Sequence, residues 1–351
     1  MTESEKLLSA FSENYFFKEM VVDNLLFTPE GRDEIELADL IINLQDYIIA
    51  IQLKSRNEKD QTFDREKEKV WLNSKCKRAK EQVKSTLKYI SSGTLPAFKN
   101  KQNQAIAFSE NAEVIPLVVF VNAKIDTYPH LLRKHSDSGM DINCMSFDDY
   151  KEMCEKLISP IEIVLYLKYR KDFYEKYGEC DFAIFDDLDD KIYLTIPHRD
   201  TSLVLQFLNE FYGIDEAEQH MSKLQFFRHF LHQMPKQITH SSAEDGSFNL
   251  ITFFSHLDRC EVSAFLECLE DTKERSQKGE TGMLHSLRRD DGSMAMVFVA
   301  GEALPIAYIR ELVVVKSPKE IRQVLEVIIN WIDNEQYCMD FWYRDETREE
   351  G

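Results

Sequence analysis

The sequence predicts an α/β protein: a mixed sheet flanked by helices, then a helical connector, then a second α/β domain. Three observations carry this reading. Two β-like runs, LADLIINL and YIIAIQLK, meet across Gln45-Asp46. A polar segment with helical spacing, from about Lys67 to Ser91, follows them and leads into a strand, EVIPLVVFV (113–121). The chain has 351 residues, enough for two domains with sizeable cores.

Taken in order, residues 3 to about 18 place Leu7, Leu8, Phe11, Tyr15 and Phe16 at near-helical spacing. FKEMVVDNLLF supplies an extra strand, and Pro29 with Gly31 marks a turn before the hairpin. After the 113–121 strand, two helices split by Ser159-Pro160 occupy 147–178 and read as a connector. The boundaries are therefore 1–136, 137–178 and 179–351. In the last part, AIFDDLDDKIYLTI reads as a hairpin with an acidic tip, followed by amphipathic helices at about 200–213, 215–234 and 257–276. MAMVFVA (294–300) and ELVVV (311–315) read as strands. A final helix is expected from a capping box, with Ser317 as N-cap, Pro318 in the first turn and Glu320 three residues on.

Composition narrows the class. Hydrophobic residues at 43% and charged residues at 30% are those of a globular chain rather than a disordered one. No apolar run approaches the roughly 20 residues that span a bilayer, and the acidic, amphipathic start is unlike a signal peptide. The expectation is a cytoplasmic protein with no membrane partner. The seven cysteines are scattered and contain no C-x-x-C pair, as in a reduced protein without a zinc site. His229 and His232 have i,i+3 spacing but no evident third ligand. No phosphate-binding glycine loop or nucleophile elbow occurs, so any ATP-driven step would need a partner ATPase; homo-oligomerisation is left open.

The chemistry lies in the hairpin. With Gln45 and Asp46 as the turn, Leu44 faces Tyr47, Asn43 faces Ile48 and Asp39 faces Gln52, and period-two alternation adds Lys54 to the same side. An aspartate carboxylate and a glutamine carbonyl are hard oxygen ligands suited to Mg²⁺ or Mn²⁺, and a lysine beside them offsets charge on a phosphoryl group. One carboxylate holds Mg²⁺ weakly, so a second acid is needed: Glu19 is the first choice, with Glu36 and Glu13 after it. The same three residues also fit an ordinary half-exposed sheet face.

Asp39 and Gln52-Leu53-Lys54 on consecutive strands, after a helix carrying an acid, resemble the PD-(D/E)xK nuclease superfamily in the D…QxK form of Mrr-type restriction enzymes. The string DEIELADLIINLQDYIIAIQLKSRNE and the helix KVWLNSKCKRAKEQVKSTLKYI resemble a group of uncharacterised bacterial proteins, over roughly residues 10 to 175. The resemblance implies a restriction-endonuclease-like fold, with Asp39, Gln52 and Glu19 as metal ligands and Lys54 as the catalytic lysine. It further implies an Mg²⁺-dependent endonuclease acting on DNA, in restriction or phage defence. Ala38 stands where the superfamily has proline.

A net charge of −19 argues against indiscriminate nucleic-acid binding. Yet from Arg65 to Lys101 there are eleven Lys/Arg against Glu66, Glu68 and Glu81. Beside a nuclease site, Lys77, Arg78, Gln82, Lys84, Lys88 and Tyr89 are expected to touch backbone phosphates, giving salt-sensitive, weakly specific binding. Two other expectations compete with the enzyme. One is a binding or sensing module that keeps the fold without turnover, motivated by the neutral Gln52. The other is a protein-interaction subunit acting through its C-terminal half.

Overall fold

In the computed structural model the described residues are 1–23, 25–29, 33–93, 95–122, 133–134, 141–177, 201–237, 246–278, 283–288, 294–300, 321–331 and 337–345. They form two compact units, 1–219 with 254–256, and 220–253 with 257–351.

The first unit opens with α1 (Glu3–Phe16), which a Thr2–Glu5 capping box starts. Then come β1 (Val21–Asp23), β2 (Leu26–Phe27), β3 (Ile35–Glu36), β4 (Leu40–Asn43) and β5 (Tyr47–Ser55). α2 (Arg65–Ser91) is capped by Asp64, which accepts the Glu66 and Lys67 N–H groups. β6 (Phe98–Lys99), β7 (Ala105–Ile106), β8 (Glu113–Val121), β9 (Arg133–Lys134) and β10 (Asp141–Ser146) follow, and then α3 (Phe147–Leu157), α4 (Pro160–Tyr177), α5 (Thr201–Tyr212) and α6 (Ile214–Gln219). Six strands make one mixed sheet in the order β1-β4-β5-β8-β10-β9. β4 is antiparallel to β1 and β5, whereas β5, β8 and β10 run parallel. The expected mixed sheet flanked by helices is present.

The hairpin register is the expected one: Asn43 opposite Ile48, Ile41 opposite Ala50, Leu40 opposite Ile51. The Leu44 N–H donates to the Tyr47 carbonyl at 2.8 Å, closing a two-residue turn. Gln45 takes a φ of 68°, and the Asn43 side-chain oxygen accepts its N–H at 3.1 Å, which holds a left-handed conformation that a non-glycine residue seldom adopts.

Each face of the sheet has its own cover. Gln52 pairs with Val118 and Lys54 with Phe120, so these four side chains share a face. On that face α2 packs Leu72, Cys76, Ala79 and Val83 against Val118, Phe120, Ile142 and Cys144. The opposite face receives α4, whose Leu167 carbonyl accepts from the Asn143 amide at 3.1 Å. Arg170, fully buried, donates to the Asn143 side-chain oxygen at 3.0 Å and to the Cys144 carbonyl at 2.9 Å. Of segment 137–178, expected as a connector, the described residues 141–177 are thus part of the sheet unit: β10 is a strand of the sheet, and α3 and α4 cover it. The physical reason is that DINCMS is too apolar to remain outside a core, with Ile142, Cys144 and Met145 all buried.

The second unit contains α7 (Met221–Gln237), most of α8 (Gly246–Ser255) and α9 (Arg259–Gln277). Its sheet is formed by β11 (Met283–Arg288), β12 (Met294–Ala300), β13 (Ile321–Trp331) and β14 (Tyr337–Asp345) in that order, with β12 and β13 parallel. An α/β makeup is as expected, but the final helix is not: Ile321–Trp331 is a strand. Ser317, Pro318 and Glu320 lie outside the described residues, as do the 183–196 hairpin and the 311–315 strand. A local cap signal lost to period two: Leu325, Val327 and Ile329 are each 0% exposed, and the segment is rich in β-branched residues. Phe341 and Tyr343, paired with Val327 and Leu325, meet Phe230 and Phe253 at ring distances of 5.8 and 5.4 Å. Cys76, Cys144, Cys154, Cys260 and Cys268 are free thiols.

Replacing Arg170 by Met keeps the bulk but leaves the Asn143 and Cys144 acceptors without these donors inside the core. Destabilisation of the first unit by about 2–3 kcal/mol is expected. Urea unfolding read from Trp71, with Trp331 and Trp342 changed to Phe, measures it; an unchanged midpoint would remove Arg170 from this role.

Candidate active site on the β4–β5 hairpin

Asp39 sits at a bend just before β4, opposite Gln52 if the register is extended by one pair. Where the backbone ladder ends, its carboxylate takes over: Oδ2 accepts the Leu53 N–H at 2.6 Å. Lys54 Nζ lies 3.4 Å from the same oxygen, 3.2 Å from Gln52 Oε1 and 3.0 Å from the Leu53 carbonyl. A carboxylate, an amide and a main-chain carbonyl therefore converge on one cation. Both charged side chains are largely withdrawn from water, Asp39 at 8% and Lys54 at 11% exposure. Gln52 is buried. The structure brings Asp39, Gln52 and Lys54 together, and it adds the Leu53 carbonyl, which no side-chain pattern could reveal.

Burial pushes the Asp39 carboxyl above its ordinary range; Lys54 and the Leu53 N–H oppose this, and Glu5 adds to it. Glu36 is raised in the same way, by burial first and then by repulsion from Asp39 and Glu5. Three acids thus act on one another around a single lysine, an arrangement that a divalent cation would relieve. The donor set fits a hard metal ion: oxygen ligands only, one of them charged, with two further acids in electrostatic reach.

Glu19 is not among them. Val21 pairs with Ile42, and the Asn43 N–H reaches the Met20 carbonyl at 2.9 Å, so Glu19 falls beside the hairpin turn. Asp39 is at the other end, roughly 16 Å along the strand. Burial raises the Glu19 carboxyl, but its charged neighbours are Lys18 and Glu13, and among the described residues no interaction joins it to Asp39. Glu13 is held with Asp23 by Lys101. The helix acid whose charge is felt at Asp39 is Glu5, in the first turn of α1, where Ser4 meets Ser55 at 3.2 Å. The missed signal was topological. β1 runs parallel to β5, so a helix doubling back before β1 brings its start, not its end, to Lys54.

The basic segment is α2, and its candidates divide by helical phase. The stripe Leu72, Cys76, Ala79 and Val83 is buried. Lys77, Lys84 and Lys88 lie opposite it and are exposed. Arg78, Gln82 and Tyr89 lie on one flank with Trp71, and that flank turns toward β5: the Arg56 guanidinium stacks 5.4 Å above the Trp71 ring. The Tyr89 ring packs edge-on against Phe27 at 5.0 Å. Glu68, one of the three acids counted against the basic segment, is buried at the end of β5 and β8. Burial alone would raise its carboxyl, but hydrogen bonds from Asn122 at 2.7 Å and Thr62 at 2.9 Å, with Arg56 at 2.7 Å, outweigh it and hold the carboxyl below the usual range.

Among the described residues no helix is long and apolar enough to cross a membrane. Compared with protein-family models, curated proteins and solved structures, the chain matches none.

Proposed function

We propose that this protein is a metal-dependent phosphodiester hydrolase acting on DNA. The observation that carries the reading is the convergence of Asp39 Oδ2, Gln52 Oε1 and the Leu53 carbonyl on one cationic point, with a lysine in attendance. Asp39, Gln52 and the Leu53 carbonyl would hold Mg²⁺ or Mn²⁺, and Glu36 and Glu5 would add negative charge around it. When bound, such an ion supplies Lewis acidity beside the phosphate and acidifies water. The chain's own part is then orientation and charge balance. The Leu53 N–H fixes the Asp39 carboxylate, while Lys54, shifted from Asp39 toward the phosphate, would offset charge gathering on the phosphoryl oxygens. A role in restriction or phage defence follows from the resemblance and belongs to the same proposal.

One observation favours a second reading. Lys54 already neutralises Asp39, and Gln52 brings no charge, which suits a non-catalytic nucleic-acid sensor. Incubating supercoiled and linear DNA, and RNA, with Mg²⁺ or Mn²⁺ separates the two. The hydrolase reading expects cleavage that Asp39→Ala and Lys54→Ala each reduce about 10²–10³-fold, at unchanged circular dichroism. Cleavage of no substrate, with binding indifferent to both substitutions, would establish the sensor instead. Gln52→Glu, by adding a charged ligand, is expected to lower the Mg²⁺ concentration that half-saturates activity.

The required ionised Asp39 costs stability. Its folded-state pKa is raised above the unfolded value of about 3.9. The folded state therefore holds the proton more tightly, and stability declines as pH rises through the raised value. Asp39→Asn is expected to unfold at a higher temperature than wild type at pH 7.5, the difference closing toward pH 4. A melting temperature lowered equally at both pH values would contradict this.

A further inference from the structure

α2 is tied to the hairpin at two places. Near its start, Arg56, two residues beyond Lys54, pairs with Glu68 at 2.7 Å and stacks on Trp71. Near its end, the Thr86 hydroxyl donates to the carbonyl of Leu37, two residues before Asp39. The stretch between these ties runs past Asp39, Gln52 and Lys54 on the sheet face that those residues share. One flank of that stretch carries Lys75, Arg78 and Gln82, at i, i+3 and i+7, in line with Trp71.

That flank has features which packing does not explain. Lys75 is half-buried, yet among the described residues no ion pair holds it. Arg78 is exposed and likewise without an ion pair among the described residues. The Gln82 Oε1 atom is buried and accepts no hydrogen bond. Buried polar groups are ordinarily satisfied, and this unmet acceptor is an exception to that rule. A half-turn of the amide presents either its carbonyl or its NH₂ at that position. Two cations and an amide along one flank form a track for successive phosphates of one strand.

We infer that this flank, with Lys75 and Arg78 as phosphate ligands and Gln82 beside them, is the surface that seats the substrate strand next to Asp39 and Lys54, and that the outer lysines Lys77 and Lys88 do not touch it. The inference rests on the reading of the hairpin as a phosphodiester site. It relocates the contact from the most basic face of α2 to its less charged edge. Lys75 is a positioning residue: it holds the polymer and takes no part in the chemistry.

Counting the ions released on binding tests this apart from cleavage. Labelled duplex DNA, and RNA duplex of the same sequence, are titrated without divalent metal from 50 to 200 mM KCl, and binding is read by fluorescence anisotropy. Each phosphate contact on B-DNA contributes about 0.9 to the slope of log K against log salt. Lys75→Gln and Arg78→Gln are each expected to flatten the DNA slope by about that amount. Lys75→Arg should restore it, and Lys77→Gln and Lys88→Gln should leave it within about 0.3. A correspondingly flattened slope on the RNA probe would support the same track with RNA as the polymer. Flattening by the outer-face substitutions with Lys75→Gln silent, or binding of neither polymer, overturns the inference. The expected slopes without any metal-dependent cleavage sustain the track and sink the hydrolase reading. Cleavage that persists with an unchanged Lys75→Gln slope does the reverse.

Discussion

The site depends on the register of one hairpin. Side chains alternate with period two, so a slip of a single residue between β4 and β5 would send Gln52 and Lys54 to the α1 and α4 side of the sheet and leave Asp39 facing the other way. Three features oppose that slip. The two-residue turn is held by the Asn43 side chain on the Gln45 N–H. β5 is locked on its other edge by a nine-residue parallel pairing with β8. The Asp39 carboxylate itself bonds the Leu53 N–H, so the residue that would carry the chemistry also closes the ladder.

The second constraint is charge. Among the described residues only one carboxylate touches Lys54 at the point of convergence, and burial makes even that one reluctant to ionise. Glu36 and Glu5 answer from a distance: Glu5 raises both Asp39 and Glu36, and Asp39 raises Glu36 as well. Lys54 sits among the oxygens and balances the Asp39 charge. The group would accept a divalent ion only if the ammonium moves aside, and a neutral Gln52 makes that exchange less favourable than a glutamate would. Under the proposed hydrolase reading, a phosphate would offer the displaced ammonium a new partner.

The position of α2 joins these constraints. Its apolar stripe covers β8 and β10, while Arg56–Glu68 and Thr86–Leu37 hold its edge beside β5. A helix with many lysines can be a solvated face and nothing more. What distinguishes this one is that an edge less charged than its outer face is turned to the hairpin, and that one buried polar atom there, Gln82 Oε1, accepts no hydrogen bond among the described residues.

Much of this could be read from the residues alone, where a local rule was strong. The turn at Gln45-Asp46, the apolar 113–121 strand and the period-two placement of Asp39, Gln52 and Lys54 depend on neighbours in sequence, and the structure has them as expected. Tertiary structure decided what depends on distant partners. The cap-like Ser317-Pro318 signal was overruled because Leu325, Val327 and Ile329 gain more by filling a sheet face than a helix would give them. Glu19 lies away from Asp39, and Glu5 nearer to it, because the direction of β1, set by its pairing with β4, determines which end of α1 comes toward β5's end; Glu36, already a candidate from sequence, lies on β3. The six polar residues of α2 could be chosen by composition, but which of them face the hairpin depends on helix rotation. That rotation is set by Arg56, Glu68 and Leu37, contacts that a one-dimensional pattern does not contain.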